Sequence, residues 1–367
     1  MKLLYQKRRV RQRRISYLHN KRRIISKEKQ KRRYREISGS QNREYTFASN
    51  VNKQTIKLTL PKQFGFESNY EATTKSLYEI RHVTEHAKRR LSLDFSEIER
   101  IGSTASLALA GEIYRWNKQT VSPVVSRPEL WNPEVKVALA EMGLFKLLNL
   151  PYDGKEKVET NRTFVKFIFG NTTDGESARK LRGALEEIAN SSIEAKSAFG
   201  GITEAMNNVV KHAYPHTSRN EKIFGVTHPW WLGGSYNRQT DTLIISICDQ
   251  GVGIPKTLPR QHTKEKIDGL FGRLGITQPD DAAMIKAAIE LGRTATRETY
   301  RGKGLQDIKR FVDSYENASL KILSLRGEYL YLKEAGIERE ELVLHTSSFH
   351  GTLIEWRIDN LAGWRQR

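Results

Sequence analysis

Four short strings in this 367-residue chain combine residue types that bind anions and move protons. Glu204 and Asn208 stand four apart in EAMNN, so on a helix they share one face. A carboxylate beside a carboxamide there suits a magnesium ion and a water. Asp249-Gln-Gly251-Val-Gly253 follows the apolar run TLIISIC. A strand end would place the carboxylate at a sheet edge, and the two glycines let backbone approach a ligand closely. Arg301-Gly302-Lys303-Gly304-Leu305 opens a helical stretch, whose bare amides and positive dipole end form an anion site. Gly351-Thr352 opens the last long strand. Singly these strings occur in many turns and solvated faces; all four in this order and spacing make a strong signal.

The elements that must position these residues occupy the second half of the chain. FVKFIF (164–169) and TDTLIISICD (240–249) read as strands, and 174–192, 193–213, 279–292 and 304–315 as helices. KILSL, YLYL, ELVLH and GTLIEWRI supply further strands, so the pattern predicts a mixed sheet with its helices on one face. Before them, TIKLTL (55–60), RLSLDFS (90–96) and VSPVVS read as strands, and 69–90, 101–116 and 132–150 as helices. That alternation predicts a small α/β domain over 45–152, ahead of a larger α/β domain over 160–367. Ser103 or Thr104 is placed to cap the helix that starts there.

The remaining feature is an arm, residues 1–44. Residues 1–43 hold 17 of the 62 Lys and Arg but two of the 42 acids, which is +15 of the net +20. Tyr5, Tyr17, His19 and Tyr34 are set among these cations. Arginine meets phosphate oxygens as a planar fork and aromatic rings stack on exposed bases, which predicts salt-sensitive DNA or RNA binding. The same charge also suits an anionic surface or an acidic protein. SGSQN (38–42) ends the arm as a joint.

The larger domain resembles the GHKL ATPases: gyrase-type topoisomerases, histidine kinases, MutL-type proteins and anti-sigma-factor serine kinases. The Glu204/Asn208 helix is similar to that family's N box, Asp249-x-Gly251-x-Gly253 to its first glycine box, Gly302-x-Gly304 to its second, and Thr352 to its sheet threonine. The resemblance implies a Bergerat-type α/β sandwich that binds ATP and Mg²⁺. Asp249 would accept from the adenine amino group, with Thr352 assisting through a water, and Gly251 and Gly253 would lie along the purine. Asn208 would ligate Mg²⁺, and Glu204 would be the general base. Lys211, with His212, lies one turn beyond, within reach of phosphates, as would Lys303. Residues 256–301 would form the lid, carrying Arg293, Arg297 and Arg301.

LDFSEIERIGSTAS, within the smaller domain, resembles the phosphoacceptor turn of STAS domains, with Gly102 and Ala105 departing from that pattern. Ser103 and Thr104 match the hydroxyls that take phosphate there. Three functions share such a pocket: ATP hydrolysis driving a regulatory switch, phosphoryl transfer to a Ser or Thr of a STAS-like domain (its own Ser103 or Thr104, or a partner's), and ATP binding without chemistry. Glu204 favours hydrolysis. His82 and His86 lack the context of a histidine-kinase phosphoacceptor helix. A homodimer and a protein partner at the STAS-like domain are further expectations.

Composition sets the outer bounds. Apolar residues make up 38% and aromatics 9%, sufficient to bury cores. No apolar run nears the ~20 residues that cross a bilayer, and no GxxxxGK[ST] string is present. A single cysteine, Cys248, with no apolar leader segment, predicts a reducing, cytoplasmic setting.

Overall fold

The computed structural model describes residues 55–361 apart from 85–89, 120–123, 127, 153, 155, 157, 192, 216–228 and 295–303. Contacts divide the chain into two units, Met1–Asn52 and Lys53–Arg367, and all described residues belong to the second. The basic arm, Arg297, Arg301, Gly302 and Lys303 lie outside the described residues.

The first layer is built on parallel pairing. Strands β1 (Thr55–Thr59), β2 (Gln63–Phe64), β3 (Arg90–Asp94), β4 (Arg100–Ile101) and β5 (Val124–Ser126) form a three-stranded sheet, β1-β3-β5, and a short β2-β4 pair. Both are parallel, which requires crossover connections. Helices α1 (Tyr70–His82) and α2 (Ser103–Gln119) supply them. The helix expected over 132–150 is two. In α3 (Pro133–Met142), Asn132 caps the start and Pro133 takes the first position, where its missing N–H costs nothing. Gly143, left-handed at φ 87°, ends it before α4 (Leu144–Leu147).

The second layer is one five-stranded sheet. Its elements are β6 (Arg162–Gly170), α5 (Gly175–Ala189), α6 (Ala195–Asn208), β7 (Trp230–Asn237), β8 (Thr242–Asp249), α7 (Ile254–Gln261), α8 (Lys264–Leu274), α9 (Asp281–Thr294), α10 (Gly304–Asp313), β9 (Ala318–Glu334) and β10 (Ile337–Asp359). Strand order is β6-β7-β8-β10-β9. Every neighbouring pair is antiparallel, not mixed as the sequence predicts. For two of the four pairs the reason is local: β7–β8 and β9–β10 are hairpins, and hairpins join only antiparallel strands.

Both faces of this sheet are covered. Along β7 and β8, Trp230, Leu232, Leu243, Ile245 and Ile247 pack with Leu181, Leu185, Ile202, Met206 and Phe311 of α5, α6 and α10. Trp231 and Cys248 point the other way and join Leu323, Leu353 and Phe349 in a core shared with Leu107, Ala108 and Ile113 of α2. The expectation of helices on one face therefore holds for the sheet's own helices, while α1 and α2 of the first layer close the opposite face. Helices α7, α8 and α9 form a small apolar core of their own around Leu258, Leu270, Phe271 and Ala287. No helix among the described residues is long and apolar enough to cross a membrane.

Candidate functional site

Strand β8 is buried along most of its length, and it ends on an acid. Asp249 is 4% exposed, and its carboxylate accepts from the Gly251 N–H at 2.7 Å and from the Thr352 backbone amide. Burial pushes its carboxyl up to about 7, against those two hydrogen bonds and the charge of Arg81, which pull it down. A buried carboxylate balanced this way still has acceptor capacity for a polar ligand edge.

The wall beside it comes from α6, whose last turn widens into a π turn at Val209–Ala213. Such single-turn insertions recur at functional sites. Here the turn carries the Ala213 carbonyl to the loop after β8, where it accepts from the Val252 N–H at 2.9 Å. A Cβ on Gly251 would overlap that carbonyl, so only glycine fits. Tyr214 bolts the same loop, accepting from the Gln250 N–H at 2.9 Å and donating to the Pro229 carbonyl at 2.8 Å. Gly253 takes φ 89° at the start of α7. Ser324 of β9 fixes it there, accepting from the Ile254 N–H at 2.9 Å and donating to the Gly351 carbonyl at 3.0 Å. The Thr352 hydroxyl lies 3.3 Å from the same Ser324 oxygen.

These elements enclose a cavity of ≈ 90 Å³. A water needs only ~10–15 Å³ on the same scale, so there is room for several waters or one planar heterocycle. Val209, Ile247, Ile254, Leu258 and Ile354 line it with apolar surface; Asn208, His212, Asp249, Thr257, Gln261 and Thr352 supply its polar groups. An apolar slot with few convergent polar atoms is the usual make-up of a small-molecule site.

Of the residues singled out in the sequence, Asn208, Asp249, Gly253 and Thr352 meet in this cavity. Gly304 opens α10, and its neighbour Leu305 is in the wall. Gly251 shapes the loop from behind rather than lining the space. Glu204 is half-buried one turn before Asn208, outside the cavity wall; burial raises its carboxyl, helped by Asp307 and opposed by an Asn207 hydrogen bond and by Lys211. Lys211 is exposed and outside the wall, whereas His212 is in it, its pKa lowered by burial and by Lys211. Ser324 and Tyr214, which fix the loop, carry no signal in the sequence beyond ordinary strand and helix-end residues.

Among the described residues no three His, Cys, Asp or Glu side chains group to hold a metal. The Asn208 amide oxygen is a single hard ligand, which fits an ion carried mainly by waters and a bound phosphate and does not fit a protein cage.

Ser103 and Thr104 are 4% and 6% exposed, at the start of α2 against the back of the sheet. Ser103 accepts from the Ser235 hydroxyl at 3.1 Å, and the Thr104 hydroxyl donates to the Glu355 carboxylate. Both residues are buried in this arrangement.

No family model matches the chain, and the search of curated proteins gives no match.

Proposed function

We propose that this chain is a regulatory ATPase: a GHKL-like, Bergerat-type domain that binds ATP with Mg²⁺, preceded by a STAS-like domain and a nucleic-acid-binding arm. The observation that carries the reading is the buried Asp249 carboxylate at the base of an apolar, ring-sized cavity that also receives Asn208 and Thr352. A carboxylate accepts from the exocyclic amine of adenine and meets only the acceptor O6 at that position of guanine, so the site selects adenine. The Thr352 hydroxyl completes the polar edge, and the Gly251–Gly253 loop, held by Ser324 and Tyr214, keeps the backbone beside the base.

Mg²⁺, when bound, would neutralise charge on the triphosphate, with the Asn208 amide oxygen as its protein ligand. Glu204 shares that helix face, and its raised pKa suits a general base that takes a proton from an attacking water. In the same reading, the helices between the two glycine boxes are a lid, and the arm holds the assembly on DNA or RNA in the cytoplasm. Phosphoryl transfer to a STAS-like partner is the alternative; transfer to this chain's own Ser103 or Thr104 would first require the two layers to part.

Incubation of the full chain with γ-labelled ATP and Mg²⁺ separates these. The expected result is label released as free phosphate. Label retained on protein would favour the kinase alternative, and label remaining on ATP would remove the catalytic reading.

A further inference from the structure

The β9–β10 hairpin runs well past the sheet that carries it. Strand β8 pairs with β10 over Leu353–Asp359, whereas β9 accompanies β10 back to Ile337. The turn between them is Ala335 and Gly336, both left-handed at φ 49° and 79°, as in a tight type I′ hairpin. From Ile337 to Leu344 the outer edge of β10 meets no other strand among the described residues. All eight residues are exposed. Two residues further on, α1 takes up the backbone amides: Glu71 accepts from the Thr346 and Ser347 N–H groups, each at 2.9 Å. The open stretch has no such cover, and half of it is large and apolar. Ile337 is 74% exposed, Leu342 44%, Val343 38% and Leu344 45%.

An open strand edge is a template for another strand, and proteins blunt such edges with Pro, Lys or a bulge. This segment, IEREELVL, has neither Pro nor Lys, and its register with β9 is unbroken as far as Leu344. Its charges instead select one way of pairing with itself. The pair that closes a two-residue turn is hydrogen bonded, so by alternation Glu338, Glu340 and Leu342 aim their backbone groups outward. Laid antiparallel on a second copy, with Glu340 facing the partner's Glu340, the strand gains about six backbone hydrogen bonds. The non-hydrogen-bonded pairs, whose side chains lie closest, then set Ile337 against the partner's Val343 and Arg339 against the partner's Glu341. Each Glu340 brings its own neutralising groups, an ion pair to Lys286 and a hydrogen bond from the Tyr329 hydroxyl at 2.8 Å. Moving the centre one residue either way would oppose two Arg339 or two Glu341 side chains, and like charges directly opposite are destabilising. Within its own chain Arg339 reaches Glu334 and Glu341 at 3.5 Å and 3.6 Å, exposed pairs that hold it weakly.

We propose that residues 337–344 are a self-association edge. Two copies pair antiparallel about Glu340 and join their hairpins into a four-stranded sheet, β9-β10-β10-β9, with the two-fold symmetry of an isologous contact. The surface shares no residue with the cavity wall, so it stands apart from the adenine reading.

Sedimentation velocity of the nuclease-treated full chain over a range of concentrations tests this, with two charge reversals. Wild type should show a concentration-dependent equilibrium between monomer and dimer. Arg339→Glu puts acid against acid at both symmetric pairs, and Glu341→Arg puts cation against cation. Each variant alone should lose about tenfold in dimer affinity, as two attractive cross-strand pairs become repulsive. Mixed in equal amounts, the two variants should regain the wild-type affinity, because one chain then supplies both acids and the other both cations. Neither misfolding nor an interface elsewhere reproduces that recovery. A wild-type chain that stays monomeric overturns the proposal. So does a dimer that survives both reversals unchanged, which would lie on another surface, or a mixture no stronger than the separate variants.

Discussion

Thr104 donates a hydrogen bond to the buried carboxylate of Glu355, tying the first turn of α2 to the C-terminal part of β10 across the boundary between the two layers. The Ser103–Ser235 pair repeats the arrangement on β7. A helix start that sequence alone assigns to capping or to phosphate acceptance is used here to dock one sheet system on another. Thr104→Val keeps the shape and removes the donor, leaving a buried acceptor unmet, at a cost of about 1–3 kcal/mol. Chemical denaturation of the full chain checks this; an unfolding free energy equal to wild type would contradict the pairing.

Glu355 also makes stability depend on pH. Burial raises its carboxyl above 4.5, outweighing the pull of Lys321, Thr104 and Arg357. The native state then holds the proton more tightly than the unfolded chain. Its stabilising contribution is complete below the unfolded value and is lost as pH rises through the folded one. Glu355→Gln should therefore gain on wild type between pH 4 and pH 8 in urea denaturation. A difference that stays constant with pH would show that Glu355 does not titrate across that window.

Glu204 and Asn208 share a helix face but should separate in kinetics. Glu204→Ala should cut phosphate release by about 10²–10⁴-fold and change ATP affinity only a few-fold, since its side chain lies outside the cavity wall. Asn208→Ala should remove the dependence of ATP binding on Mg²⁺. Equilibrium binding with and without the ion, beside a phosphate-release assay, distinguishes the two; matching losses in both variants would contradict the assigned roles.

The arm makes an independent claim. Deleting residues 1–43 removes +15 of charge. Salt-sensitive binding to DNA or RNA should vanish with it, because counterion release scales with the phosphates neutralised, and ATP affinity should stay at the wild-type value. Nucleic-acid binding that survives the deletion would place the interface elsewhere.

How much of this could be read from the chain differs from residue to residue. Asp249 at a strand end was legible because TLIISIC is a buried strand and Gly251, Gly253 and Pro255 stop it. Depth was not: Glu204 and Asn208 have the right spacing for one face, yet spacing does not say where a cavity wall ends. The π turn supplies another limit. One extra residue in a turn advances later side chains by about 100°, and here it is His212 rather than Lys211 that lines the cavity. Strand β7 escaped because Gly233-Gly234 reads as a turn. In the fold a Cβ on Gly233 would lie 3.1 Å from Phe167, and one on Gly234 2.9 Å from Leu185, so packing on both faces explains the pair. Strands β9 and β10 were read as four because the first half of β10 is exposed on both faces and register shifts between Leu344 and Thr352 interrupt the long hairpin, so no single alternation runs its whole length.

Calorimetric titration of the full chain with ATP and Mg²⁺, beside GTP and beside Asp249→Asn, bears most directly on the cleft as an adenine site. ATP should bind wild type and GTP should not. Asp249→Asn should lose at least about tenfold in ATP affinity, the worth of one hydrogen bond to a charged acceptor. Equal ATP binding by wild type and Asp249→Asn, or equal binding of ATP and GTP, would contradict it.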